Sequence, residues 1–449
     1  MTASDAADPR TGGAAASDHH LSRVIREESA RIVAALTRWL GNLDLAEEAV
    51  AEAIEEAVRE WRSRGVPPNP GGWLTRAARN NALDRLRREK RYREKLALLP
   101  DPTEAPSRDG AEPDERLPLL FGCCHPALSP DAQLALTLRA ICGLTTAQIA
   151  RATLSPEPTV AQRIVRAKRK IGAAGIPLRI PEESERTARV HIVLAVVSVM
   201  YSEAHLVTGR DAAADRDLAD DALWLARVVA HELPREAEAH GLLSLLLFHR
   251  AREGARAVDG ELILLADQDR SRWDRRLIAE AHTVLGDAAR LRRPGRWQLH
   301  AAIAACHSDT RDGDATDWLQ VLTLYNMLLA YDRSPVVRLN RAVALAEVDG
   351  PRKALDEVDT LENDLAGYYL WHAVRARMLQ DLGRSDEAMS EDLRALELTA
   401  NDAERRLLRA RLGRETDASV GTAQRCPDVR VVPRVAVSKC PSKNGRDGM

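Results

Sequence analysis

What is scarce in this 449-residue chain narrows it more than what is plentiful. Aromatic residues make up 4% of it and phenylalanine occurs twice, too few large flat side chains for the core of a β-sandwich or barrel. Alternating β-branched runs are nearly missing before the C-terminal tail, which argues against strands. No apolar run reaches the ~20 residues that cross a bilayer, and the N-terminus has no hydrophobic signal-type core. A cytoplasmic protein without a membrane partner is expected. Six cysteines spread over this length give no disulfide framework, so free thiols are expected. The net charge of −2 supplies no overall basic field to announce nucleic acid.

What is present is Ala, Leu, Arg and Glu in helical periodicities. With 45% hydrophobic and 29% charged residues the chain can bury sizeable cores, and its length suits two to four domains. The fold class expected is all-α. Charge is segregated along the chain: acids crowd residues 44–60, while Lys and Arg crowd 76–95 and 163–170. Local patches can bind phosphates even when the total is neutral.

The stretch from Leu144 to Ile171 carries the clearest signal. Thr145 and Gln148 have capping-box spacing, and Leu144 with Ile149 forms the matching hydrophobic staple. A first helix should end near Leu154. Ser155 then offers an N-cap with Pro156 at the first helical position. In the second helix Val160, Ile164, Ala167 and Ile171 make one buried stripe, which leaves Gln162, Arg163, Arg166, Lys168, Arg169 and Lys170 mostly outward. Such a face suits a DNA major groove. An ordinary helical hairpin with a solvated basic face has the same pattern.

Upstream, two helices are expected between Leu21 and Trp61. The second carries Glu47, Glu48, Glu52, Glu55, Glu56 and Glu60, either a solvated acidic face or a dock for a basic partner helix. The Pro- and Gly-rich break at residues 65–72 should be non-helical. In the helix that follows, Leu74, Ala78, Ala82 and Leu86 share one face, with Arg76, Asn80, Asp84 and Arg87 opposite and Arg88, Lys90, Arg91, Arg93 and Lys95 beyond. Basic and amide groups headed by Trp73 and a rigid Pro loop fit a surface for single-stranded or melting DNA. An exposed basic helix is the plainer alternative.

Together, the acidic helix beginning DLAEEAV, the helix WLTRAARNNALDRLRR, an acidic Pro-rich linker and the helix-turn-helix resemble a bacterial extracytoplasmic-function sigma factor of the sigma-70 family. The segment LFGCCHPALSPDAQLALTLRAICGLTTAQIARATL is similar to the subgroup with a long tetratricopeptide-like C-terminal extension, and the resemblance covers about residues 21–412. It implies region 2 over 21–95, a flexible linker over 96–118, region 4 over 119–180 and the extension over 185–412, between tails at 1–20 and 413–449 expected to be disordered. It further implies core RNA polymerase and promoter DNA as partners. Asp44, Glu47, Glu48, Glu52 and Glu55 would hold the polymerase. Trp73, Arg76, Asn80, Asn81, Arg87, Arg88 and Arg91 would capture the melted −10 element. Thr159, Gln162, Arg163, Arg166, Lys168, Arg169 and Lys170 would serve the −35 element. No catalysis and no cofactor are implied. A stand-alone helix-turn-helix regulator with a sensor domain is the alternative reading, and residues 44–95 speak against it, because a repressor needs neither an acidic clamp helix nor a single-strand surface.

Two clusters could carry other chemistry. Cys123, Cys124 and His125 are metal-ligand types, yet adjacent cysteines lack the usual CxxC spacing, and buried thiols are expected instead. His205, Asp211, Asp215 and Asp217 fall in an expected loop. Just before them the chain has Ser202-Glu203-Ala204, a departure from the Asn-Glu-Gly type of residue often found in the family.

The extension should be helix after helix from about Thr187. Ala342 aligns with Ala376 and Ala354 with Ala388 at the tetratricopeptide period of 34, with degenerate units near 218–254 and 274–306. Arrays of this kind stack into a concave surface that takes a peptide or protein, so such a ligand is expected there.

Overall fold

A computed structural model of the chain describes residues 28–88, 116–153, 155–176, 178–206, 212–258, 261–310, 316–399 and 401–418. The described residues are almost wholly α-helical, as the composition required, apart from one two-stranded antiparallel hairpin, Ala257–Val258 with Glu261–Leu262, and short 3-10 turns. The chain divides into two compact units, residues 1–196 and 197–449. Among the described residues no helix is long and apolar enough to cross a membrane.

In the first unit, α1 spans residues 28–40 and α2 spans Leu43–Arg64. The Asn42 side chain caps α2 by accepting from Leu45 N at 3.1 Å, and Gly65, at φ +82°, ends it. Ala46, Ala49, Ala53, Ala57 and Trp61 form its buried stripe. α3 runs Pro70–Arg88, so the break at 65–72 is shorter than the sequence suggests. Asn69 Oδ1 accepts from Gly72 N at 2.9 Å, and Pro70 tolerates the first helical turn because no partner is needed for its nitrogen there. Gly71 lies inside α3 beside α1, where a Cβ would come within 2.3 Å of a Glu28 carboxylate oxygen unless that side chain moved. Leu74, Ala78, Ala82 and Leu86 are all buried.

α4 (Arg116–Cys123) and α5 (Pro130–Ala140) lead into α6 (Thr146–Ala152) and α7 (Glu157–Ala174). The linker expected to reach 118 therefore gives way to helix at Arg116, where Leu117, Leu119 and Leu120 are buried. The capping box is formed both ways: Thr145 N donates to Gln148 Oε1 at 2.8 Å, and Gln148 N donates to Thr145 Oγ1 at 3.2 Å. Gly143 turns at φ +66° between α5 and α6. Ser155 is not the cap of α7. Pro156 takes that position, and the Ser155 hydroxyl donates to Thr153 O at 3.1 Å. Ser129 likewise makes no side-chain cap bond. α8 runs Glu183–Leu206, and the division between the units falls within it.

The second unit continues with α9 (Ala212–Glu232), α10 (Ala237–Ala251), α11 (Glu253–Arg256), the hairpin, α12 (Arg275–Arg290), α13 (Arg296–Ser308), α14 (Trp318–Leu328), α15 (Pro335–Asp349), α16 (Pro351–Asp359), α17 (Glu362–Leu365), α18 (Tyr369–Asp381), α19 (Ser385–Leu398) and α20 (Asp402–Ala418). Three expectations are corrected here. The hairpin and 3-10 turns interrupt the helical series. Asp215 and Asp217 lie within α9 and His205 within α8, so those residues are not in a loop, while Asp211 lies outside the described residues. Helix also continues past 412 to Ala418, into the segment expected to be tail, and the rest of that segment lies outside the described residues.

The aligned alanines occupy corresponding places in two helical hairpins. Ala342 and Ala376 sit in the first helix of each, Ala354 and Ala388 in the second, and each is at most 1% exposed. Gly350 and Gly383 turn the corners at φ +93° and +75°.

Candidate nucleic-acid interface

α7 is held on α5 and α6 by Val160, Ile164, Ala167 and Ile171, each under 8% exposed. At 100° per residue this stripe leaves Gln162, Arg166 and Arg169 on the opposite side, and all three are exposed. Val165 belongs to the same open face and is 53% exposed. The sequence pattern passed over it because an apolar residue normally points inward. Here it supplies a patch of the type that meets a thymine methyl.

The remaining cations of α7 are engaged. Arg163 stands at one edge of the face, paired with Asp131 of α5 at 2.9 Å and donating to Ser155 Oγ at 3.2 Å. Lys170 donates to the backbone carbonyl of Ala127. Lys168 stands at the other edge, 14% exposed, 2.6 Å from Glu47 and 2.9 Å from Asp44. Burial works against its charge, but Glu47 and Asp44 outweigh it through charge and hydrogen bonds, so its pKa is raised. Thr159 is half-buried in the first turn.

On α3, Arg76, Asn80 and Arg87 are exposed, and Arg87 pairs with Asp84 at 3.2 Å. Asn81 is half-buried and its Nδ2 lacks a hydrogen-bond partner. Trp73 packs edge-on against Trp61, with ring centroids 5.4 Å apart, so part of its ring stabilises the α2–α3 contact. The Arg88 side chain and all of Arg91 lie outside the described residues, as does the expected linker up to residue 115.

The acidic face of α2 is partly neutralised from within. Arg85 of α3, which the sequence pattern did not single out, bonds Glu52 (3.1 Å from its Nε) and also pairs with Glu48. Asp44 and Glu47 meet Lys168, and Glu55 is exposed. The one signal for Arg85 was its place one residue before the buried Leu86, which aims it at the neighbouring helix.

Cys123 and Cys124 are fully buried free thiols. Burial pushes Cys124 up to about 12 and Cys123 well above the ordinary thiol range. Neither is poised as a thiolate, the form that binds metal or attacks. The His125 ring Nδ1 is occupied by the backbone N–H of Ala127 at 3.1 Å. Among the described residues no group of three His, Cys, Asp or Glu side chains is placed to hold a metal ion.

Comparison with known proteins agrees with this layout. Residues 24–92 match the family Sigma-70 region 2, residues 119–171 match Sigma-70, region 4, and residues 189–289 match a Family of unknown function (DUF6596). The chain is similar to an uncharacterized protein of Rhizobium meliloti (strain 1021), at 40% identity over 387 residues, covering 84% of this chain and 92% of that one. No solved structure matches it.

Proposed function

Since the chain belongs to the sigma-70 family, with a helical extension behind regions 2 and 4, and therefore has a role in promoter recognition, we propose that it binds core RNA polymerase and directs initiation as a factor of the extracytoplasmic-function type. The observation that carries this reading is the pair of separate faces on one unit. Arg76, Asn80 and Arg87 stand out from α3, and Gln162, Val165, Arg166 and Arg169 stand out from α7. The first set, with Asn81, suits unstacked bases and phosphates of a melted −10 element. The second suits base edges of a −35 duplex. Lys170 and Thr159 flank the second face, where phosphates pass, and Arg163 positions it by bracing α7 on α5.

Asp44, Glu47, Glu48, Glu52 and Glu55 form the surface for the polymerase. Four of the five are already in contact with Lys168 or Arg85, so polymerase basic groups exchange with internal ones rather than meeting bare carboxylates. The extension acts as a regulatory module through its stacked helical hairpins, with a peptide or protein as the ligand of its concave face.

Run-off transcription with the full chain, core polymerase and a randomised promoter library tests the proposal. Enrichment of a two-part motif with fixed spacing is the expected result. Tight duplex binding without polymerase, and no polymerase-dependent transcript, would replace it with a stand-alone regulator.

A further inference from the structure

The second unit holds a half-open pocket of about 130 Å³ between α10, α11, α13, α14, α15 and the segment that follows the hairpin. Its wall is chemically lopsided. His249, Arg252, Arg256, His300 and His307 line it, and no Asp or Glu is among the described lining residues. The rest of the wall is apolar, with Leu245, Ile303, Val321 and Val343 prominent, relieved by Gln268 and Asn340.

Several polar atoms at this wall are buried and lack a partner. Nη1 of Arg256, Nδ1 of His249 and Oε1 of Gln268 make no hydrogen bond, and His249 is only 8% exposed. A buried polar group without a partner is costly, and a buried charge without a counter-ion more so. Burial and the neighbouring arginines drive His249 well below its ordinary range, and burial takes His300 down to about 4. His249 and His300 are therefore neutral near pH 7, and Arg256 carries fixed charge. The side chain that favours the Arg256 charge is Tyr201, not a carboxylate. Arg256 thus has no carboxylate partner among the described residues. Its volume is close to that of an engineered cavity of roughly 150 Å³ that admits benzene.

We propose that this pocket binds a small organic carboxylate, its charge held by Arg256 and its apolar body, the size of one six-membered ring, seated among Leu245, Ile303, Val321 and Val343. The guanidinium fork matches a carboxylate, and the neutral His249 supplies a further ring N–H in the tautomer that protonates Nδ1. The inference concerns the extension alone and holds whether or not the first unit acts with polymerase.

Calorimetric titration of the full chain with benzoate tests it, with benzamide and inorganic phosphate as companions. Benzoate should saturate at one per chain, and the other two should bind at least about tenfold more weakly, since one lacks the charge and the other the apolar body. Arg256→Met should weaken benzoate by the same factor or more while leaving the melting temperature of the ligand-free protein equal or higher, because an uncompensated buried charge has gone. Ala304→Leu, which fills the pocket and leaves every charge in place, should also abolish benzoate binding. No saturable benzoate binding, unchanged affinity in Arg256→Met or in Ala304→Leu, or phosphate binding more tightly than benzoate would each overturn the proposal.

Discussion

Lys168 Nζ lies 2.6 Å from the Glu47 carboxylate, joining α7 with its exposed Gln162, Arg166 and Arg169 to the acidic α2. The two side chains are 14% and 13% exposed, and Asp44 completes the set at 2.9 Å. This places the two proposed functions of the first unit in competition for the same charges.

Lys168→Ala should therefore tighten binding to core polymerase a few-fold, because Glu47 and Asp44 lose an internal counter-ion. It should cost the free protein about 1–3 kcal/mol, the usual penalty for stranding a partly buried partner. The preference among −35 sequences should not change. Titration of core polymerase in an anisotropy assay, wild type beside variant, reads the first effect. Weaker promoter complexes at unchanged polymerase affinity would show that Lys168 grips a phosphate instead.

The extension should be acid-labile. Folded His300 titrates near 4 because of burial, against 6.5 in the unfolded chain. As pH falls from about 6.5 toward 4, the unfolded chain takes up a proton that the folded site refuses, so stability drops through that window and is unaffected above it. His249 acts in the same direction. His300→Leu should flatten the fall in melting temperature between pH 7 and pH 5, recovering about 2 kcal/mol at pH 5. An unchanged slope would assign the lability elsewhere.

Much of this was legible in the chain, and the gaps have physical causes. Helix periodicity located α3 and α7 because each buries one regular stripe, and the Thr145–Gln148 box marked its turn because both partners are local. The start of α3 at Pro70 is masked in the sequence, since Asn69 and Pro70 sit among residues that break helices elsewhere. Arg85, Asp131 and the Lys168–Glu47 pair were invisible, because they depend on which helices meet, not on spacing within one. The pocket was hidden for the same reason. Its histidines and arginines come from α10, α11 and α13, residues separated by up to about sixty positions.

Glu238 is a case where one buried carboxylate fixes a helix it does not belong to. It is 6% exposed and accepts from Trp297 N at 2.9 Å and from Gln298 N and Nε2 at 3.2 Å each, so it serves as the missing side-chain cap of α13. Gly295 leaves room for it, as a Cβ there would lie 2.3 Å from the carboxylate carbon. Glu238→Ala should strand these donors and destabilise the second unit by about 2–4 kcal/mol. Glu238→Gln, which keeps an acceptor, should cost less than half as much. Urea titration of the three proteins decides it, and equal losses for Ala and Gln would leave the capping role without support.

Arg163 and Arg166 look alike on a helical wheel, and the contacts separate them. Arg163 has spent its guanidinium on Asp131 and Ser155, whereas Arg166 is exposed between Gln162 and Arg169 on the open face. A guanidinium must leave its partners before it can read a guanine, and the Asp131 bond opposes that release. Arg166→Ala should thus cost about 1–3 kcal/mol at one −35 position and little at the others, relaxing specificity there. Arg163→Ala should lower output by a similar factor on every −35 sequence, since it loosens α7 rather than removing a base contact. Asp131→Ala should reproduce the Arg163 pattern if bracing is what matters. Should Arg163→Ala instead change preference at a single base pair while Asp131→Ala is silent, the ion pair is a resting place that Arg163 leaves when promoter DNA arrives. Transcription from a set of single-position −35 variants distinguishes these outcomes directly.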